Sequence, residues 1–138
     1  MRKKDELAID KIIECAKKEF FDKGFEGASM RAIAESAGYT TGMLYGRFAD
    51  KSELFREIVK EPAEKLYNYY NRVQNEFADL APETQYNDMH FYVDNKVDGM
   101  LDIVYGNFEE FKLIICKSKG SEYEHFVDRL VEVETDNT

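Results

Sequence analysis

Between Thr40 and Lys51 the chain places two adjacent hydroxyls, Thr40 and Thr41, followed by Tyr45, Arg47 and Lys51. All of these side chains donate hydrogen bonds, and two carry a fixed positive charge. None is a base paired with a nucleophile. This is chemistry for holding an anion rather than for breaking a bond. A helix opening at Thr40 would add free backbone amides and the positive end of its dipole at the same spot, and both favour a phosphate. Gly42 lets a neighbouring backbone come close. Arg47 can grip guanine through two hydrogen bonds, or it can hold a phosphate. Catalytic chemistry finds no comparable set. His90 and His125 are isolated, with no HExxH spacing, no GxSxG elbow and no phosphate-cradling glycine loop. The carboxylates at Glu109-Glu110 and Glu122-Glu124 read as solvated faces. No catalytic residue, metal site or cofactor is expected.

Presenting such donors takes a short helix held away from its core. Leu7, Ile9, Ile12, Ile13, Ala16, Phe20 and Phe21 recur at mostly three- and four-residue steps, which predicts one buried helical stripe. Lys23-Gly24 reads as its stop, and Phe25 folds back onto the same core. Ser29 caps a second helix whose buried face is Ile33, Ala34 and Ala37, ending at Gly38. Thr40 caps a third helix, with Met43, Leu44 and Phe48 facing inward. Asp50 caps a fourth, with Glu53 completing an acidic analogue of a capping box. Its stripe runs through Leu54, Phe55, Ile58 and Val59. Pro62 predicts a kink or a restart, and the stripe resumes from Leu66 to Phe77. Residues 84–105, 107–117 and 121–135 read as three further helices. The fold class is all-α.

Charge is divided unevenly along the chain. The 138 residues carry a net charge of −9 and are 43 % apolar, enough for a buried core. Residues 1–60 hold twelve Lys+Arg against eleven Asp+Glu, whereas residues 61–138 hold seven against seventeen. The first part is only weakly basic, so the placement of its cations matters more than their sum. Arg2, Lys3 and Lys4 form a basic arm or a solvated end. No apolar run is long enough for a membrane span, and MRKKDELAID lacks the apolar stretch of a secretory signal. Cys15 and Cys116 without CxxC spacing point to a reducing, cytoplasmic setting.

The segment SMRAIAESAGYTTGMLYGRFADK, Ser29 to Lys51, joins two short helices through a tight turn at Ala37-Gly38-Tyr39, the layout of a helix-turn-helix. Ile12 to Lys60 resembles the DNA-binding domain of the TetR family of bacterial regulators. The matched pieces are IIECAKKEFFDKGFEGAS, MRAIAESAG and a G-x-L-Y-x-x-F-x-x-K signature, here Gly42, Leu44, Tyr45, Phe48 and Lys51. The resemblance implies that Tyr45 contacts a phosphate through its hydroxyl and that Lys51 contacts the DNA backbone. It puts Thr40, Thr41, Gly42, Gly46 and Arg47 on the groove face, and brings Ser29, Met30 and Arg31 to flanking phosphates. Leu44 and Phe48 are core. Tyr39, Thr41 and Gly46 depart from the family's usual residues, which bears on the target sequence.

The same resemblance implies a helix-turn-helix domain over residues 1–50 and a helical ligand-binding and dimerisation domain over 51–138. The family continues through two more helices, so this second domain reads as incomplete at its C-terminal end. The implied function is a ligand-responsive repressor that binds double-stranded DNA at a palindromic operator as a homodimer. The effector would be a small molecule held among aromatics of the second domain, with Tyr92, Met100 and Phe111 as lining residues. The competing reading, favoured by the acidic total charge, is a helical sensor or protein-interaction module that does not bind DNA.

Overall fold

The computed structural model describes residues 4–136; Arg2 and Lys3 of the basic arm lie outside them. The described residues form eight α-helices and no strand: α1 (Lys4–Gly27), α2 (Met30–Ala37), α3 (Thr41–Arg47), α4 (Lys51–Ala78), α5 (Pro82–Asn87), α6 (Met89–Gly106), α7 (Phe108–Cys116) and α8 (Phe126–Asp136). They divide into two compact units. The first takes the chain up to Lys60 and adds Lys112–Glu124; the second is Glu61–Phe111 with the chain from His125 onward. The division expected after residue 50 therefore falls inside the first unit.

In the first unit the apolar stripe of α1 is buried in its middle, at Ile12, Ala16 and Phe20, half-buried at Ile9, Ile13 and Phe21, and exposed at Leu7. Gly24 takes φ 72° and bends the chain, which returns Phe25 to the core. Phe20, Phe25 and Phe55 then form one aromatic cluster, with Phe55 edge-on to both others at 5.0 and 5.4 Å. Ile33, Ala34 and Ala37 of α2, Leu44 of α3 and Leu54 of α4 complete this core. Leu113 and Ile114 of α7 are buried as well. Beyond α7, the carbonyl of Lys117 accepts from the Phe25 amide at 2.9 Å. The Tyr123 ring lies 6.0 Å from that of Phe55.

In the second unit the Tyr69 hydroxyl donates to carbonyls of α6, at 3.2 Å from both Asn95 and Lys96. The Lys96 ammonium lies 4.1 Å from the centre of the Tyr70 ring. Phe77 meets Tyr92 edge-on at 5.4 Å. No residue of α6 is buried.

Three expectations of the sequence are corrected here. Of the kink or restart expected at Pro62, the restart does not occur: the fourth helix runs as one element from Lys51 to Ala78. Ile58 and Val59 before it and Ala63 and Leu66 after it are all buried, and that packing offsets the roughly 3 kcal/mol that an internal proline costs. The expected helix over 84–105 is two, α5 and α6, parted at Asp88, whose backbone leaves the helical region (φ −106°, ψ 12°). The last helix starts at Phe126 rather than near 121, because Ser118 to Tyr123 form turns held by their own serines. There Ser121 Oγ donates to the Ser118 carbonyl at 2.6 Å and accepts from the Tyr123 amide at 3.1 Å.

Candidate nucleic-acid interface

The candidate site is built on local backbone chemistry. The Ser29 hydroxyl accepts from the Ala32 amide at 3.2 Å, which opens α2. The Ser29 amide in turn donates to the Glu19 carboxylate at 2.9 Å, tying this cap to α1. At the other end Gly38 takes φ 80°. Its amide donates to the Glu35 carbonyl at 3.1 Å, and the Tyr39 amide donates to the Ala34 carbonyl at 2.9 Å. This is a Schellman closure, which needs a left-handed residue at the glycine position. One residue later the Thr40 hydroxyl accepts from the Met43 amide at 3.1 Å and opens α3. The turn between the two helices is thus fixed by hydrogen bonds at both ends.

A single buried anchor side sets the orientation of α3. Leu44 is 0 % exposed, and Phe48, just past the helix, is buried too. Much of the remaining surface of α3 faces outward. Tyr45 is 50 % exposed, and Thr40, Gly42, Gly46 and Arg47 are exposed with it. No hydrogen bond or ion pair to a described residue engages the Tyr45 hydroxyl or the Arg47 guanidinium. An alanine methyl built at Gly46 would have no atom within 4 Å, and at Gly42 only the Thr40 hydroxyl, at 3.9 Å. Neither glycine is therefore required by packing within the protein. Thr41 is half-buried at the first position of the helix.

Not all the expected contacts share this face. Met30 is 6 % exposed, so its side chain is core and only its backbone at the start of α2 remains for an outside partner. Arg31 is exposed and paired with Glu35 at 3.2 Å. Met43, expected to face inward, is 56 % exposed. It lies one residue from Leu44, and in so short a helix only one side is covered.

Lys51 is engaged within the protein as well. Its ammonium donates to the Glu26 carbonyl at 2.8 Å and the Ala28 carbonyl at 3.4 Å, and it lies 4.9 Å from the centre of the Phe25 ring. The charge that resemblance assigned to DNA therefore ties the start of α4 to the α1–α2 turn. At that same start the Asp50 carboxylate accepts from the Glu53 amide at 2.9 Å. The Glu53 carboxylate reaches back to the amide of Ala49 at 2.8 Å, one residue before the position an ordinary capping box uses.

The sequence profile of the bacterial regulatory proteins of the tetR family matches residues 12–58, the stretch that builds α1 to α3 and the start of α4. Over that stretch, about a third of its length, the chain is similar to the TetR family. Among similar proteins, the HTH-type transcriptional repressor KstR2 of Mycolicibacterium smegmatis is 30 % identical over 64 residues, 46 % of this chain and 31 % of that protein. The HTH-type transcriptional repressor AcnR of Corynebacterium efficiens is 34 % identical over 55 residues, 40 % of this chain and 29 % of its own length. The likeness to these TetR-family relatives thus spans less than a third of their length. The crystal structure of NalD, the secondary repressor of the MexAB-OprM multidrug efflux pump in Pseudomonas aeruginosa, superposes with a TM-score of 0.55 at 18 % identity. It covers 99 % of this chain and 66 % of that one. That likeness is one of all-α fold alone.

The expected effector residues lie in the second unit. Tyr92 is half-buried against Phe77, and Met100 is half-buried. Phe111 is 2 % exposed and is core. Among the described residues no helix is long and apolar enough to cross a membrane, and no group of three or more His, Cys, Asp or Glu could hold a metal.

Proposed function

We propose that the protein is a DNA-binding transcriptional regulator, a repressor that seats α3 in the major groove. The observation that carries this reading is the construction of α3. Leu44 and Phe48 are buried, while Tyr45, Gly46 and Arg47 are exposed, and no hydrogen bond or ion pair to a described residue engages the Tyr45 hydroxyl or the Arg47 guanidinium. The TetR-family match covers that same stretch, and the relatives' names are those of repressors. In this reading Thr40, Thr41, Tyr45 and Arg47 supply donors, Gly42 and Gly46 allow close approach, and Ser29 and Arg31 flank a phosphate. The acidity of the chain is no obstacle, because its excess lies beyond residue 60.

The protein works as a homodimer, since one recognition helix covers too few base pairs. Two helices about 34 Å apart read the half-sites of a palindromic operator. The apolar side chains that α6 leaves exposed in steps of four, Val93, Val97, Leu101 and Tyr105, are surface that a second subunit would cover. A small apolar or cationic effector binds among the aromatics of the second unit, near Tyr92 and Met100, and weakens operator binding by the factor with which the operator weakens its own.

The test is binding to a labelled duplex selected from a random pool. Affinity should fall linearly with the logarithm of salt, by about 0.9 log units per phosphate engaged. Tyr45→Phe should cost about tenfold. Arg47→Ala should either lower the salt slope by about one or relax preference at one base pair. Salt-independent binding, or Tyr45→Phe binding as tightly as the native chain, overturns the reading.

A further inference from the structure

The α1–α2 turn, Gly24 to Ala28, is where the first unit is gripped from outside its own sequence neighbourhood. Its carbonyls at Glu26 and Ala28 accept from Lys51. Its Phe25 amide is satisfied by the carbonyl of Lys117. Gly120, at φ 90°, lies so close to Glu26 that a methyl there would come 2.5 Å from the Glu26 Cγ. Around this contact Lys112 stands 5.7 Å from the centre of the Phe21 ring, and Tyr123 packs on Phe55. Arg56 of α4 pairs with Glu122, whose hydrogen bond and charge raise the guanidinium above its ordinary pKa. The clasping strip is itself stiffened: Ser118 is buried, and its hydroxyl donates to the Ile114 carbonyl.

We infer that residues 117–123 are a clasp that positions the recognition helix, with Glu122 and Arg56 as its positioning residues. This inference rests on the DNA-binding reading. The route is short and each step is a contact. The clasp fixes Phe25 and Glu26, the turn they belong to ends in Ser29, and Ser29 is the cap of α2. The closure at Gly38 then passes that orientation to α3. The α4 start is bound to the same turn by Lys51. Loosening the clasp therefore lets α2 and α3 rotate as a pair against α1 and α4, with their own caps intact. Neither Glu122 nor Arg56 needs to touch DNA for this.

Charge reversal separates positioning from direct contact. Glu122→Arg adds positive charge to the unit, so it should tighten binding to a mixed-sequence duplex. The clasp predicts that it weakens binding to the selected duplex, so the ratio of selected to mixed affinity should fall about tenfold. The swap Arg56→Glu with Glu122→Arg should recover at least half of that loss on a logarithmic scale, which a lost Arg56–phosphate contact would not. Measurements well below the melting temperature keep every variant folded, so a merely structural role leaves the ratio unchanged. Gly120→Ala is the charge-neutral check and should lower the ratio in the same direction. Amide exchange, followed without DNA, should speed up at Phe25 in Glu122→Arg by about an order of magnitude. An unchanged ratio in both Glu122→Arg and Gly120→Ala overturns the clasp while leaving DNA binding standing. A native chain that binds no duplex overturns the DNA reading instead, and unchanged Phe25 exchange then overturns the clasp on its own.

Discussion

Alanine placed at three glycines of the first unit should give three different results from one chemical change. At Gly46 a methyl meets no atom within 4 Å, and the position is helical. Removing the extra freedom of glycine in the unfolded chain should therefore stabilise by about 0.5–1 kcal/mol, a rise in melting temperature of about 2–4 °C. At Gly42 the nearest atom is 3.9 Å away, but the residue is in the first turn of α3, so the gain should be only a few tenths of a kcal/mol. At Gly38 the backbone is left-handed at φ 80°, and alanine should destabilise by about 1–2 kcal/mol. Urea unfolding followed by far-ultraviolet circular dichroism measures all three. Duplex binding adds a second axis. The Gly46 methyl stands on the face assigned to the groove, so Gly46→Ala should bind less tightly while being more stable. A destabilised Gly46→Ala, or a neutral Gly38→Ala, refutes the geometry of the α2–α3 turn.

Lys51→Met should lose about 1 kcal/mol of stability, because the Glu26 and Ala28 carbonyls lose their donor, and should leave the salt slope of DNA binding unchanged. A slope lowered by about one with stability intact would show Lys51 acting on a phosphate instead. Leu44→Ala removes the fully buried anchor of α3 and should cost about 2–5 kcal/mol in urea unfolding. A loss under about 1 kcal/mol would mean that α3 is not held by that residue.

The parts of this structure that could be read from the residues are those governed by nearest-neighbour backbone chemistry. Gly24, Ser29, Gly38 and Thr40 each do what their side chain, or its absence, dictates within three or four residues. Buried positions of long stripes were equally legible, as at Ile12, Ala16 and Phe20. Phase failed where the helix was short: with only Leu44 buried in α3, nothing in the pattern separates an inward Met43 from an outward one. The unbroken passage through Pro62 depends on packing on both sides of it, which a local rule does not weigh. The break at Asp88 has no glycine or proline to announce it. Of the candidate site, the outward face of α3 followed from sequence, whereas the internal use of Lys51 did not. Its acceptors are backbone carbonyls more than twenty residues away, and carbonyls leave no mark in a sequence. The clasp left no mark either, since Arg56 and Glu122 are ordinary charged residues 66 positions apart.

The first unit is discontinuous along the chain, and this bears on how the molecule is made. During synthesis the N-terminal helices emerge first, yet the amide of Phe25 has no acceptor until Lys117 has left the ribosome. At ordinary elongation rates that interval is on the order of several seconds. Throughout it, the side of Phe55 that Tyr123 later packs on is open to chaperones or to neighbouring nascent chains. The order of translation is therefore not the order of assembly, and a graft of the reading head onto another protein must carry both stretches of chain.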